Sequence, residues 1–174
     1  MTEKSLIEEI LPSLPRNEKG IENAYQYCSK QRRFVKTNSK EFSAHLEKAK
    51  SDLNAIKADY ENRAWDWVII KSYYAIHHAV NALLLRFSGF YSKDHICAIL
   101  ALKHFELLSD ALYLKLRNIN AKFSDFTALD ITYSLRKISQ YDVRKWKEIS
   151  QKDADDIYSM SKELVKFAEE KCYE

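Results

Sequence analysis

Glycine and proline are nearly absent: Gly20, Gly89, Pro12 and Pro15 are the only ones in 174 residues. An all-β chain of this size needs turn residues roughly every 8–12 positions, and these four cannot supply them. Cysteine is also sparse. Cys28, Cys97 and Cys172 are odd in number, far apart and free of any CxxC spacing, which excludes a zinc ribbon and a disulfide framework. All three are read as reduced, incidental thiols. The opening MTEKSLIEEILPSLP lacks the basic and apolar regions of a signal peptide. The most apolar run, Trp65 to Phe87, is interrupted by Asp66, Lys71, His77, His78 and Asn81, so it is no membrane span. Glycine-rich phosphate loops and GxSxG elbows are missing, which removes the usual devices for nucleoside triphosphate hydrolysis and acyl transfer. The expectation is a soluble cytoplasmic protein without a cofactor.

Long amphipathic stretches are what the chain does contain. The length suits one domain with a short extension. Residues 1–37 form that extension, with one short helix around Leu6, Ile7, Ile10 and Leu11 and another from about Ile21 to Val35. A bundle then fills 38–174, opening on Asn38 and Glu41 as a capping pair. Phe42, Leu46, Ala49, Leu53, Ile56 and Tyr60 repeat at spacings of 4, 3, 4, 3, 4, one helical stripe. A second helix over 64–87 carries Ile69, Tyr73, Ile76, Val80, Leu83 and Phe87. Ser72, Ala75, Ala79 and Ala82 beside them let a neighbour approach closely, so this helix is the central one, closed by Gly89 in a left-handed cap.

A third helix is expected from Asp94 to Leu116, burying Ala98, Leu102, Phe105, Leu108 and Leu112. A loop follows over 118–123, and a fourth helix starts near Asp125 with Ala128, Ile131, Leu135 and Ile138. A basic loop over 141–149 leads to a last helix, capped by Ser150 with Asp153, that buries Ala154, Ile157, Ser161, Leu164 and Ala168. The fold class is all-α: an antiparallel up-and-down bundle of four to five helices with a short helical N-terminal extension.

Formal charge is only +3, but five cations and no acid lie between Lys30 and Lys40, and five cations against Asp142 between Arg136 and Lys147. Such clusters bind phosphate backbones or simply solvate helix ends. On the second helix Lys71, Tyr74, His78 and Asn81 form a polar stripe between apolar ones. It reads either as an internal network that fixes helix register or as a pocket in which Tyr74 and His78 meet a ligand. Adjacent His77 and His78 diverge around the helix and do not share a metal ion; with no HExxH pattern near His95 or His104, no metal site is expected. Arg136, at the edge of the fourth helix's stripe, suits either a structural ion pair or a bidentate grip on phosphate.

Residues 73–84, YYAIHHAVNALL, resemble the YYAxFHAAxALL helix of HEPN domains, with His77 in place of Phe and Val80 in place of Ala. Gly89, Lys93 and His95 are similar to that family's entry to its next helix. Residues 135–141, LRKISQY, resemble its LRxxADY segment, and 150–168 its last helix. The resemblance covers about Asn38 to Ala168. It implies a helical bundle that often forms a homodimer, pairs with minimal nucleotidyltransferases as toxin–antitoxin systems, binds nucleotides or RNA, or cleaves RNA. The nuclease branch carries an arginine and then, after four to six intervening residues, a histidine. Arg136 matches the arginine, but Tyr141 occupies the first permitted histidine position and the last histidine of the chain is His104. A phenol with a pKa of about 10 is a poor acid–base group at neutral pH.

The resulting expectation is a non-catalytic module, without a confident catalytic residue, that binds a partner and a nucleotide or RNA. Arg136 and Lys93 would meet phosphate, Tyr74 and Tyr141 would stack or hydrogen-bond, and His78 and His95 would orient them. The alternative is a metal-independent ribonuclease toxin using Arg136 with Tyr141 or a distant histidine.

Overall fold

The computed structural model describes residues 14–127 and 149–174, side chains excepted over 121–127. It is an all-α bundle with one two-stranded ribbon. Among the described residues no helix is long and apolar enough to cross a membrane. The helices are α1 (Glu18–Lys30), α2 (Phe42–Glu61), α3 (Trp65–Ser88), α4 (His95–His104), α5 (Asp110–Thr127) and α6 (Gln151–Tyr173); β1 is Phe34–Lys36 and β2 is Phe90–Ser92.

α3 is central because its sequence is apolar around most of its circumference, and every such face must be covered. Val68, Ile69, Ile76, Val80, Leu83, Leu84 and Leu85 are all buried along it. Ser72, Ala75, Ala79 and Ala82 are fully buried, so neighbours pack close to its backbone. Its last turn closes on Gly89, at φ 71°, whose N–H donates to the Leu85 carbonyl at 3.1 Å. A left-handed residue there favours glycine.

α2 and α6 clasp this helix. The turn between α2 and α3 passes through Arg63, at φ 56°, and folds α3 back along α2. α2 contributes Leu46, Ala49 and Ile56 to the core. α6 begins with the expected capping box: Ser150 Oγ accepts from the Asp153 N–H at 3.2 Å and the Asp153 carboxylate accepts from the Ser150 N–H at 2.9 Å. Ala154, Ile157, Ser161, Leu164 and Ala168 are buried as the spacing requires. Tyr60 donates to Asp155 at 2.6 Å and accepts from Gln151 at 3.2 Å, tying α2 to the start of α6.

Four local expectations are corrected. Asn38 and Glu41 do not form a capping box on α2. Asn38 instead caps a single 3-10 turn, Ser39–Glu41, accepting from the Lys40 N–H, while Glu41 accepts from the Thr37 hydroxyl. The helix expected over 21–35 ends at Lys30, because Arg32 turns left-handed (φ 54°) and frees Phe34–Lys36 to pair antiparallel with β2.

The helix expected over 94–116 is two. Glu106 (φ 58°) breaks it, Phe105 is left 39% exposed, and Ser109 caps the new helix by accepting from the Leu112 N–H at 3.2 Å. α5 then runs straight through 118–123, where a loop was expected. Buried Asn120 is accommodated inside that helix. The cysteine reading also changes. α1 packs on α4 and brings Cys28 and Cys97 together, with Cα atoms 5.7 Å apart, as a buried disulfide. Local spacing carried no trace of this pairing, since the two lie 69 residues apart. Cys172 stays free and buried, its thiol pushed up to about 11 by burial. The short helix expected around Leu6 and most of the fourth helix, from Ala128 onward, lie outside the described residues.

Asn81 is the polar residue on which the ribbon hangs. Its amide oxygen accepts from the Ser92 N–H at 3.0 Å and its amide nitrogen donates to the Ser92 carbonyl at 2.9 Å. Asn81→Ala should cost about 2–4 kcal/mol, because two buried backbone groups lose their partner; the urea-unfolding midpoint reads this. Reducing the Cys28–Cys97 bond should lower stability by about 2–4 kcal/mol, given the long loop it closes, measured as a fall in Tm that Cys28→Ser reproduces without reductant.

Candidate functional site

The polar stripe of α3 divides between structure and site. Lys71 is ion-paired at 2.6 Å with Asp59 of α2. Asn81 belongs to the network just described. Tyr74 is half-buried, one turn before His78. His78 itself meets a residue that the sequence reading did not weigh, His45 in the first turn of α2, with the two Nδ1 atoms 3.2 Å apart.

Four of the five histidines converge here. His95, the first residue of α4, lies flat between the Tyr73 ring, at 4.3 Å and 18°, and the His77 ring, at 3.9 Å and 21°. The His77 and His78 centroids are 6.0 Å apart, and Tyr91 of β2 stands 5.8 Å from His45. A ladder of rings therefore runs Tyr73, His95, His77, His78, His45, Tyr91 across α2, α3, α4 and the ribbon. The fold places each member. His77 and His78 follow the helical pitch of α3, and the Asp94 cap, accepting from the Cys97 N–H at 2.9 Å, fixes where α4 presents His95.

Hydrogen bonding sets one tautomer. Because the Asn81 oxygen accepts from Ser92, its NH2 group faces His77 Nε2, 3.1 Å away, and that nitrogen must accept. The proton of His77 then sits on Nδ1, which is buried and has no hydrogen-bond partner among the described residues.

Burial governs the electrostatics. It lowers the pKa of His78 to about 4, with neighbouring His45 adding to the effect and Asp52 opposing it. It lowers His95 to about 4 as well, helped by His78. His77 lies well below the ordinary value through burial and then through His95, His78 and His45. Burial also lowers His45, partly offset by Glu41. At neutral pH the ladder is uncharged: rings that stack and hydrogen-bond through one N–H and one bare nitrogen each, none of them an imidazolium ready to act as an acid. Among the described residues no group of three or more His, Cys, Asp or Glu is placed to hold a metal ion.

The predicted site residues are thus brought together in part. His78 and His95 share one cluster through His77, and Lys93 is exposed two residues before His95. Arg136 and Tyr141 lie outside the described residues. A separate open groove of about 1110 Å³, lined by Arg16, Lys19, Lys103, Tyr113 and Arg117, lies where α1 begins, away from the ladder.

The family model of the HEPN domain matches residues 42–171. The chain belongs to the HEPN domain family. No curated protein and no solved structure matches it. The HEPN match takes in all four clustered histidines, while α1 and β1 precede it.

The depressed imidazoles make stability depend on pH. The unfolded chain takes up protons as pH falls through about 6.5, whereas folded His78 and His95 wait until about 4. Their stabilisation is complete above the unfolded value and is lost progressively between there and about pH 4. Urea midpoints across this range should fall with acidification, and His78→Gln or His95→Gln should flatten the slope.

Proposed function

We propose that this HEPN protein is a non-catalytic binding module for a nucleotide or single-stranded RNA, acting in the cytoplasm as a homodimer. Its partner protein would be a minimal nucleotidyltransferase, the two forming a toxin–antitoxin pair. The pairing and the dimer rest on the family resemblance. The binding role rests on the uncharged ring ladder of Tyr73, His95, His77, His78, His45 and Tyr91.

Splitting an RNA phosphodiester by acid–base chemistry needs one group to take the 2′-hydroxyl proton and another to protonate the departing 5′ oxygen. Imidazoles with a pKa of about 4 are deprotonated at neutral pH and fill only the first role. Arg136, as an arginine, holds its proton too tightly for the second. What the half-buried end of the ladder, His78, His45 and Tyr91, offers instead is ring surface and hydrogen-bonding nitrogen, the chemistry by which unpaired bases are held. Lys93 and Arg136 would add charge for phosphate, with Tyr74 and Tyr141 beside them. Burial of Cys28 and Cys97 shields their bond from cytoplasmic thiols while the fold is closed.

The ribonuclease reading keeps one observation in its favour: two half-buried imidazoles, His45 and His78, in direct contact. End-labelled cellular RNA incubated with the protein, with and without EDTA, decides between the two. The expected result is retention of RNA without cleavage, and binding weakened about tenfold in Arg136→Ala, a loss typical of a charge-assisted contact. Cleavage that Arg136→Ala abolishes would instead make the protein a nuclease with Arg136 in its active site.

A further inference from the structure

We propose that the outward face of the β1–β2 ribbon is a docking strip for a single-stranded polynucleotide, with Tyr91 stacking on a base and Arg33 and Lys93, side by side at one end of the ribbon, holding the neighbouring phosphates. This rests on the nucleic-acid reading above and deepens it: the bound strand is laid over the ribbon and also meets Arg33, which precedes the HEPN match.

The ribbon has two unlike faces. Its register pairs Phe34 with Ser92, Val35 with Tyr91 and Lys36 with Phe90. Side chains alternate along a strand, so Phe34, Phe90, Ser92 and, exposed at the far end, Lys36 share one face while Arg33, Val35, Tyr91 and Lys93 share the other. The first face is turned inward. Phe34 lies 5.0 Å from Phe90 and 5.4 Å from Tyr25 of α1, Phe90 lies 5.9 Å from Phe105, and Ser92 is fully buried. The second face is left to solvent: Arg33, Val35 and Lys93 are exposed and Tyr91 is half-buried. The end of the ribbon that carries Arg33 and Lys93 is fixed. The Ser92 hydroxyl donates to the Arg33 carbonyl at 3.0 Å and accepts from the Asp94 N–H at 3.1 Å, holding the backbone on either side.

Charge on this face has one sign. Arg33 and Lys93 make no ion pair among the described residues, and neither do Lys30, Arg32, Lys36 and Lys40 along the same strand and its flanks. Of the nearby carboxylates, Asp52 is ion-paired with Lys48, while Glu41 and Asp94 accept from the Thr37 hydroxyl and the Cys97 N–H and keep their charge. An aromatic ring beside cations that make no ion pair among the described residues is an arrangement that holds single strands, the ring taking a base and the cations the backbone. His45 and His78, next along from Tyr91, continue the strip with neutral hydrogen-bonding rings. A protein partner fits this face less well, since Val35 is its one exposed aliphatic side chain.

The test is fluorescence anisotropy with labelled single-stranded RNA and the DNA of the same sequence, over a salt series. It compares the full chain, Tyr91→Leu, the double variant Arg33→Ala with Lys93→Ala, and Lys166→Ala on exposed α6 as a control. Thermal melts verify that each variant folds. Tyr91→Leu should weaken binding by about five- to a hundredfold with the salt slope unchanged, which is the loss of one stacked base. The double variant should weaken binding and flatten the slope of log K against log salt by about 1.4, two phosphate contacts on a single strand. Equal effects on RNA and DNA indicate stacking and phosphate contacts alone; effects on RNA only add a 2′-hydroxyl contact, and either supports the strip. Binding that all the ribbon variants leave unchanged overturns the strip while the nucleic-acid reading stands. No binding of either strand by the full chain overturns both.

Discussion

α3 has almost no face that tolerates water, and the remaining elements are arranged by the need to cover it. α2 and α6 lie along it, α4 closes a further side, and small side chains on its surface let them approach. Such a helix has little room for polar groups, so those it does bury are consequential. Asn81 is one of them. By bonding both backbone groups of Ser92 it fixes β2 against the bundle. Through β2 it also fixes β1, and it sets the His77 tautomer. One amide therefore connects the packing of the core to the geometry of the candidate site.

That site combines two environments that are usually kept apart. The ring ladder is uncharged at neutral pH because burial opposes protonation and each imidazole opposes charge on its neighbours. The ribbon beside it carries cations that make no ion pair among the described residues. A polyanion drawn to the cations would arrive next to rings that read shape and hydrogen bonding rather than charge. Attraction and discrimination would then come from different residues, and each could be altered by mutation without disturbing the other.

What could be read along the chain was what depends on near neighbours. The α3 stripe as far as Leu83, the Gly89 cap, the Ser150–Asp153 box and the buried face of α6 are all set within a few residues of each other and stand as the spacing implied, while Phe87 at the end of that stripe is exposed. The HEPN resemblance, read from about Asn38 to Ala168, agrees with the matched span of 42–171. Missed were features made by distant segments: the disulfide, the ribbon and the partner of His78. His45 sits on a polar position of an amphipathic helix, where nothing local distinguishes it from a solvated residue. The break at Glu106 was missed for a different reason. Leu107 donates its N–H back to the Leu102 carbonyl, so apolar spacing continues across a turn that is no longer helical.

The cross-link between Cys28 and Cys97 has a topological consequence. It encloses β1, α2, α3 and β2 in one covalent ring, while α5 and α6 lie outside it. A protease that cuts once within the ring releases no fragment, because both pieces remain joined through sulfur. His45, His77 and His78 lie within that ring and His95 just inside its closing residue. A chain nicked there in an oxidised state would keep its four clustered imidazoles on a single molecule, whereas a cut beyond Cys97 would leave α6 attached by packing alone.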